Sequence, residues 1–176
     1  QAIVRVFNGR TGMAIAGTVG RFLAFSAAYT GGSYIAAGEI DAYGRADIIV
    51  GTDSGTQALV RVFNGRTGAL LRSISPFVAF RGGVRVAAGD VNGDGRAEVI
   101  VAAGPGSAPI VKAYSGLTGG LLWSINGMDS TYRGGVFVAA GDVDADGRAD
   151  LMIGSGRGGQ SRVRIISGAT RGLLQQ

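Results

Sequence analysis

The sequence predicts an all-β protein, a β-propeller made of four-stranded antiparallel blades with about three and a half blades in the chain. Two observations support this prediction. A motif that runs from Ala-Ala-Gly through an acidic residue to Gly-Arg-Ala begins at Ala36, Ala87 and Ala139, so its copies are 51 and 52 residues apart. Such regular self-similarity is typical of repeat architectures, in which each unit buries an apolar face against its neighbours. The 33 glycines also divide the apolar segments into short runs, as expected for short strands joined by tight turns.

A single unit shows four strands in order. In the middle copy they are predicted at residues 84–88, 99–103, 110–114 and 121–125, with polar, glycine-containing turns between them. The second strand is almost entirely apolar, which is typical of a strand covered on both faces. A β-solenoid or a β-sandwich is the alternative. Solenoid coils are usually shorter than this unit and a sandwich would not repeat its loops so faithfully, so the pattern favours propeller blades.

The chain opens in the middle of a unit. Residues 3–7 and a strand within residues 14–25 match the third and fourth strands, because the Val-Arg-Val that starts at Val4 recurs at Val60. The predicted organisation is therefore a half-blade in residues 1–32 and blades in residues 33–83, 84–135 and 136–176. Propeller rings usually hold 4–8 blades, and open ends expose unpaired strand edges. We expect either a homodimer that completes a ring of six to eight blades or a piece of a longer protein.

The turn between the first two strands carries the residues with metal chemistry. In loop 2 (residues 90–98) and loop 3 (residues 142–150), oxygen-bearing side chains occupy positions 1, 3, 5 and 9, and glycine occupies position 6. Hard oxygen donors in a chain without His or Cys favour Ca²⁺ over transition metals. An ordinary Asp/Asn/Gly turn is the alternative, but two copies in register favour calcium. The predicted ligands are Asp90, Asn92, Asp94, Glu98 and the Arg96 carbonyl in loop 2, and Asp142, Asp144, Asp146, Asp150 and the Arg148 carbonyl in loop 3.

The corresponding loop of the first full unit departs from this pattern. Loop 1 (residues 39–47) keeps Glu39, Asp41 and Asp47 but has Tyr43 at position 5. Tyrosine is a poor calcium ligand, and its ring is expected to crowd the turn. The sequence therefore predicts a weak or lost metal site in loop 1.

These motifs resemble the FG-GAP/VCBS repeat family, the calcium-loop blades of integrin α-subunit propellers and of many secreted bacterial proteins. The resemblance rests on Gly-Gly-Val-x-Val-Ala-Ala-Gly-Asp-Val-(Asn/Asp)-x-Asp-Gly-Arg-Ala and on Val-Arg-Val-Phe-Asn-Gly-Arg-Thr-Gly, and it covers essentially the whole chain. It implies a propeller, commonly seven-bladed, with structural calcium, a binding or adhesion role and an extracellular or cell-surface location. The departures are Tyr43 and the missing half of the ring.

The composition of the chain argues against several classes of function. The net charge is +5, but many arginines recur at equivalent repeat positions and would be spread around a ring, so we do not expect nucleic-acid binding. No apolar run approaches the roughly 18 residues of a membrane helix, so no membrane partner is predicted. The chain begins inside a strand pattern and shows no signal peptide. With neither His nor Cys and no nucleophile motif, it is not predicted to be an enzyme.

A ligand face is predicted at the loops between strands two and three and between strand four and the next blade. Aromatic and arginine side chains there are typical recognition groups, although the three aromatic rings could instead pack between blades. We therefore expect a non-catalytic, calcium-binding propeller that binds a protein or a glycan; the alternative is a purely structural or engineered self-assembling fragment with no ligand. The candidates are Tyr29, Phe80, Arg81, Tyr132 and Arg133, with Asp53, Gln57, Arg157 and Gln160 beside them.

Overall fold

Short antiparallel strands account for almost all regular structure in the chain. A computed structural model describes residues 1–159 and 161–176, which form fourteen strands and one 3₁₀ turn, Thr18–Gly20. The first two strands, β1 (Ile3–Arg5) and β2 (Arg21–Leu23), pair with each other in a two-stranded sheet that we call the half-blade.

Three four-stranded sheets follow the half-blade, and in each of them the strands lie side by side in chain order. Blade 1 contains β3 (Ser33–Gly38), β4 (Asp47–Thr52), β5 (Val60–Phe63) and β6 (Leu70–Ile74). Blade 2 contains β7 (Val84–Gly89), β8 (Glu98–Ala103), β9 (Ile110–Tyr114) and β10 (Leu121–Asn126). Blade 3 contains β11 (Val136–Gly141), β12 (Asp150–Ser155), β13 (Val163–Ile166) and β14 (Leu173–Gln175). The predicted all-β fold of about three and a half antiparallel blades is confirmed.

The apolar core lies between neighbouring sheets. One buried cluster fills each junction: half-blade with blade 1, blade 1 with blade 2, and blade 2 with blade 3. Successive residues of a strand point to opposite faces, so Val99 and Val101 face blade 1 while Ile100 and Ala102 face blade 3. Because β8 is covered on both faces, it needs the unbroken apolar sequence from which a buried strand was predicted.

The first strands of the three blades approach one another closely. β7 packs against both β3 and β11. A Cβ atom added at Gly89, the last residue of β7, would lie 2.7 Å from the Ala149 Cβ and 2.8 Å from the Ala140 Cβ. Glycine at this position therefore allows blade 2 to contact blade 3.

The substitution Gly89→Ala is expected to lower the free energy of unfolding by about 1–3 kcal/mol, the usual cost of overpacking a core. Urea denaturation would measure the loss. The control is Gly9→Ala in the exposed turn between β1 and β2, where an added Cβ would meet nothing within 4 Å; we expect a change within about 0.5 kcal/mol. Equal losses in the two variants would contradict the close packing of the first strands.

Candidate functional site

Loop 3, the turn between β11 and β12, brings three carboxylates together. Asp142, Asp144 and Asp146 are exposed, and one carboxylate oxygen from each lies within 4.8 Å of the others. Backbone amides orient these groups: the Gly147 N–H donates to Asp142 Oδ2 at 3.0 Å, and the Arg148 N–H donates to Asp146 Oδ1 at 2.9 Å. Loop 3 thus presents a preformed cluster of hard oxygen atoms, which suits a divalent cation such as Ca²⁺.

Loop 2, between β7 and β8, has a similar arrangement in which an amide replaces one carboxylate. The Asp90 carboxylate accepts hydrogen bonds from the Gly93 and Gly95 N–H groups at 2.7 Å each. Asn92 Nδ2 donates to Asp94 Oδ2 at 3.0 Å and lies 3.1 Å from a Glu98 oxygen. The structure therefore places the four predicted side-chain ligands of loop 2 in one turn, joined by hydrogen bonds.

Left-handed backbone conformations at positions 4 and 6 fold both loops inward. The φ angles are 77° at Gly93 and 83° at Gly95 in loop 2, and 61° at Ala145 and 85° at Gly147 in loop 3. Glycine adopts this conformation without the steric cost that a Cβ atom adds. These turns bring the side chains at positions 1, 3 and 5 to the same side of the loop.

The acidic residue at position 9 has a structural role that the sequence did not reveal. Glu98 and Asp150 are completely buried. Asp150 accepts the Val143 N–H at 2.9 Å and the Gly168 N–H at 3.1 Å, and therefore joins loop 3 to the turn that follows β13. Asp150 is not part of the cluster of three carboxylates, and its role as a metal ligand stays a prediction. The sequence feature that could have indicated this structural role is a carboxylate immediately before an apolar strand.

Glu98 makes the same connection in loop 2. One of its oxygens accepts the Val91 N–H at 3.0 Å. Burial raises the pKa of the Glu98 carboxyl to about 7, although hydrogen bonds from the Val91 and Gly116 amides act in the opposite direction. A cation bound in loop 2 would favour the ionised form of Glu98, because an opposite charge nearby stabilises a carboxylate.

Loop 1 forms the same turn, and its backbone amides bond the side chains at positions 1 and 3 as they do in loops 2 and 3. The Gly44 N–H donates to Glu39 Oε1 at 2.6 Å and the Tyr43 N–H donates to Asp41 Oδ1 at 3.2 Å. The expectation that the Tyr43 ring would crowd the turn is wrong, because this residue is 74% exposed and its ring projects from the loop. Within the described residues, only loop 3 brings three carboxylates together. What loop 1 lacks is a carboxylate at position 5, where Tyr43 stands.

The three loops lie side by side and are joined through their backbones. The Ala97 N–H of loop 2 donates to the Glu39 carbonyl of loop 1 at 2.7 Å, and the Ala149 N–H of loop 3 donates to the Asp90 carbonyl of loop 2 at 2.7 Å. Disorder in one loop would therefore weaken the hydrogen bond that joins it to the neighbouring blade.

Comparison with known families agrees with this blade geometry. Residues 39–101 match an FG-GAP-like repeat model and residues 134–166 match an FG-GAP repeat model, and together the matches cover more than half of the chain. The chain is an FG-GAP repeat protein. FG-GAP repeats form propeller-like binding modules, are typically non-catalytic, and are typical of extracellular and surface proteins. No helix in the described part of the chain is long and apolar enough to span a membrane.

The opposite end of the FG-GAP blades carries the predicted ligand face. The turn between β4 and β5 meets the segment after β6, where the Gly55 N–H donates to the Arg81 carbonyl at 2.9 Å. The turn between β8 and β9 meets the segment after β10 in the same way, with the Gly106 N–H donating to the Arg133 carbonyl at 2.8 Å. The arginine side chains are exposed, and Arg133 Nη1 bonds the Tyr132 carbonyl at 2.9 Å.

The aromatic candidates on this face contact the protein itself. Tyr29 is only 8% exposed and its hydroxyl accepts the Asp53 N–H at 3.0 Å. Phe80 packs edge to face on Phe77, with 5.8 Å between ring centroids. The Tyr132 hydroxyl donates to the Arg157 carbonyl at 3.1 Å. These rings support the packing alternative, and their contact with a ligand stays a prediction; Gln57 is exposed, and Gln160 lies outside the described residues.

A cleft of about 250 Å³ opens on this face, between the segment after β10 and the turn between β12 and β13, and a second of about 240 Å³ lies beside Tyr29 and Gln57. Tyr132, Ser155, Asp129 and Arg162 contribute to the lining of the first cleft. The Asp129 carboxylate forms ion pairs at 3.1 Å with Arg162 and with the neighbouring Arg164. Sequence reasoning did not select Asp129 as a site residue. The sequence feature that could have identified Asp129 is its position outside the three loops, to which nearly all other acidic residues of the chain belong.

Proposed function

We propose that this FG-GAP chain is a calcium-stabilised, non-catalytic binding module. The observation that supports calcium most directly is the convergence of Asp142, Asp144 and Asp146 in loop 3. FG-GAP repeats often bind calcium, and the donor atoms in loops 2 and 3 are the hard oxygens that calcium prefers. The ligands that would hold the ion are the side chains at positions 1, 3, 5 and 9 and the carbonyl at position 7.

A bound ion would act mainly through electrostatics. Three exposed carboxylates within 4.8 Å repel one another, and a divalent cation neutralises that repulsion. Because the Ala149 N–H bonds the Asp90 carbonyl of the preceding loop, an ordered loop 3 also supports the contact between blades 2 and 3. Calcium in these loops would therefore stabilise the arrangement of the blades.

Isothermal titration with CaCl₂ is expected to find two sites per chain. Asp146→Ala should remove the site in loop 3 and Asp94→Ala the site in loop 2, because each substitution deletes the ligand at position 5. Asp41→Ala in loop 1 is the matched control and should leave both sites intact. Three equivalent sites or no binding would contradict the proposal.

The proposed ligand is an extracellular protein or a glycan that contacts the face opposite the calcium loops. The cleft beside Tyr132 supports this location, since Asp129, Arg162 and Ser155 supply charged and polar groups next to an aromatic ring. A glycan array and a panel of purified extracellular-matrix proteins, each probed with and without calcium, would test it. Specific binding that Asp129→Ala weakens is the expected result, and no specific binding in either panel would favour a structural role.

The uncovered sheet faces support self-assembly as a second candidate function. Val111 of blade 2 is completely buried by blade 3, whereas the equivalent Val163 of blade 3 is 55% exposed. Arg85 of blade 2 is 9% exposed, and the equivalent Phe137 of blade 3 is 48% exposed. The open face of blade 3 therefore corresponds to the face of blade 2 that blade 3 covers.

The half-blade also has an uncovered face, on the side away from blade 1. In blade 1, Arg61 reaches back to the preceding sheet, where Nη1 donates to the Ala24 carbonyl at 3.0 Å. In blade 2, Lys112 Nζ donates to the Pro76 carbonyl at 2.7 Å in the same way. The equivalent Arg5 of β1 is exposed. We therefore infer that a second copy of this chain packs on these faces, as a homodimer that completes a ring of six to eight blades.

A further inference from the structure

We propose that Asn64 and Arg66, in the turn between β5 and β6, replace the metal ion in loop 1. In this way blade 1 keeps the turn geometry of a calcium loop without binding calcium. The inference rests on the proposed calcium function of loops 2 and 3, and it concerns the residues that make loop 1 different from them.

The first supporting contact holds the position-3 carboxylate of loop 1. Asn64 Nδ2 donates to Asp41 Oδ2 at 2.6 Å, and the other Asp41 oxygen accepts the Tyr43 N–H. Both oxygens of Asp41 are therefore used by protein donors. A carboxylate in this arrangement is oriented by the neighbouring turn, as a metal ion would orient it in a calcium loop.

The second contact supplies positive charge. Arg66 Nη2 lies 3.4 Å from the Tyr43 carbonyl, so the guanidinium group projects over loop 1. Loop 1 carries the carboxylates of Glu39, Asp41 and Asp47. Positive charge close to these carboxylates offsets part of the repulsion that a bound ion would otherwise neutralise.

The equivalent turns of blades 2 and 3 contain neither group. Ser115 and Leu117 stand at these positions in blade 2, and Ser167 and Ala169 stand there in blade 3. Ser115 Oγ accepts the Thr118 N–H at 3.2 Å and so keeps the turn contact that Asn64 Oδ1 makes in blade 1. A serine offers no amide that could hold the position-3 side chain.

Asn64 has two roles that use different atoms. Its Oδ1 accepts the Arg66 and Thr67 N–H groups and so stabilises the turn, as Asn8 does in the half-blade, whereas its Nδ2 makes the additional contact with Asp41. The blade whose loop lacks a carboxylate at position 5 is also the blade whose turn provides an amide and a guanidinium. It follows that restoring the position-5 carboxylate alone will not create a calcium site, because Asn64 and Arg66 still hold the loop.

Calcium titration of matched variants tests this directly. Wild type and Tyr43→Asp are each expected to bind two ions per chain. The triple variant Tyr43→Asp/Asn64→Ser/Arg66→Leu, which copies the turn residues of blade 2, is expected to bind three. The control Tyr43→Asp/Asn8→Ser/Arg10→Leu should bind two, because it removes the same residue pair from the half-blade, where no such loop is present in this chain.

A readout without metal separates this inference from the calcium proposal. In chelator, the Tyr43 amide of Asn64→Ser/Arg66→Leu is expected to exchange with deuterium about tenfold faster than in wild type, since its acceptor Asp41 loses a hydrogen bond to a charged group. Asn8→Ser/Arg10→Leu should leave that rate unchanged. If wild type bound no calcium and the exchange rate still rose, the calcium proposal would fail and the role of Asn64 and Arg66 would stand.

Two results would overturn the inference. One is a third calcium site in Tyr43→Asp alone, which would mean that loop 1 fails to bind calcium only because it lacks the carboxylate at position 5. The other is an unchanged Tyr43 exchange rate when Asn64 and Arg66 are replaced, which would mean that they do not hold the loop.

Discussion

Removing calcium is expected to lower the melting temperature of the chain by about 5–10 °C for each site that was filled. A ligand that binds only the folded state stabilises it by about 2.7 kcal/mol at a hundredfold excess over its Kd, and 1 kcal/mol shifts the melting temperature by about 2–4 °C for a domain of this size. Without the ion, the clustered carboxylates of loop 3 repel one another and no longer support the contact with loop 2. Differential scanning calorimetry in CaCl₂ and in EDTA would measure the shift.

Two variants locate the origin of this shift. Asp146→Ala should reduce the difference between CaCl₂ and EDTA by about half, since it removes one of two sites. Asp41→Ala should leave the difference unchanged, whatever it does to the melting temperature itself, because loop 1 is not expected to bind an ion. Identical melting curves in calcium and in chelator would mean that loops 2 and 3 are ordinary turns.

The chain is expected to have a solution mass of about twice 17.8 kDa. Val163 and Phe137 lie on a sheet face whose counterparts in blade 2 are buried, and a two-fold dimer is the commonest way for identical chains to cover such faces. Light scattering coupled to size-exclusion chromatography would measure the mass. Val163→Lys places a charge on the uncovered face and should shift the chain to the monomer.

The control for assembly is Leu117→Lys. Leu117 is 56% exposed, nearly the same as Val163, but it lies in the turn between β9 and β10 rather than on the open face of blade 3. This variant should remain dimeric. A well-behaved 17.8 kDa wild-type species would contradict the proposal and show that the chain tolerates its open faces alone.

The fold could be predicted because the repeat makes each signal appear three times. The apolar run at residues 99–103 is ambiguous when it is considered alone, but the recurrence of such runs at a fixed spacing establishes the unit and therefore the four-stranded sheet. The convergence of Asp142, Asp144 and Asp146 could also be predicted, since alternating carboxylates in a glycine-containing turn necessarily face the same side.

The remaining features depend on contacts between segments that are distant in sequence. The bond from Asp150 to the Gly168 amide crosses from the loop to a turn 18 residues away, and the bond from Asn64 to Asp41 spans 23 residues. Neither has a local sequence pattern. The exposure of Tyr43 was also mispredicted, because the direction of a side chain at the tip of a turn depends on the backbone angles there.

A calcium titration followed by ¹H–¹⁵N NMR tests the central claim most directly, because it reports each loop separately. Amide signals of residues 90–98 and 142–150 are expected to shift and to stop changing at two equivalents of calcium. Those of residues 39–47 should change little, apart from Ile40, whose amide shares a peptide group with the Glu39 carbonyl that accepts the Ala97 N–H of loop 2. Uniform small shifts over the whole chain without saturation, or no shifts in residues 142–150, would contradict calcium binding in these loops.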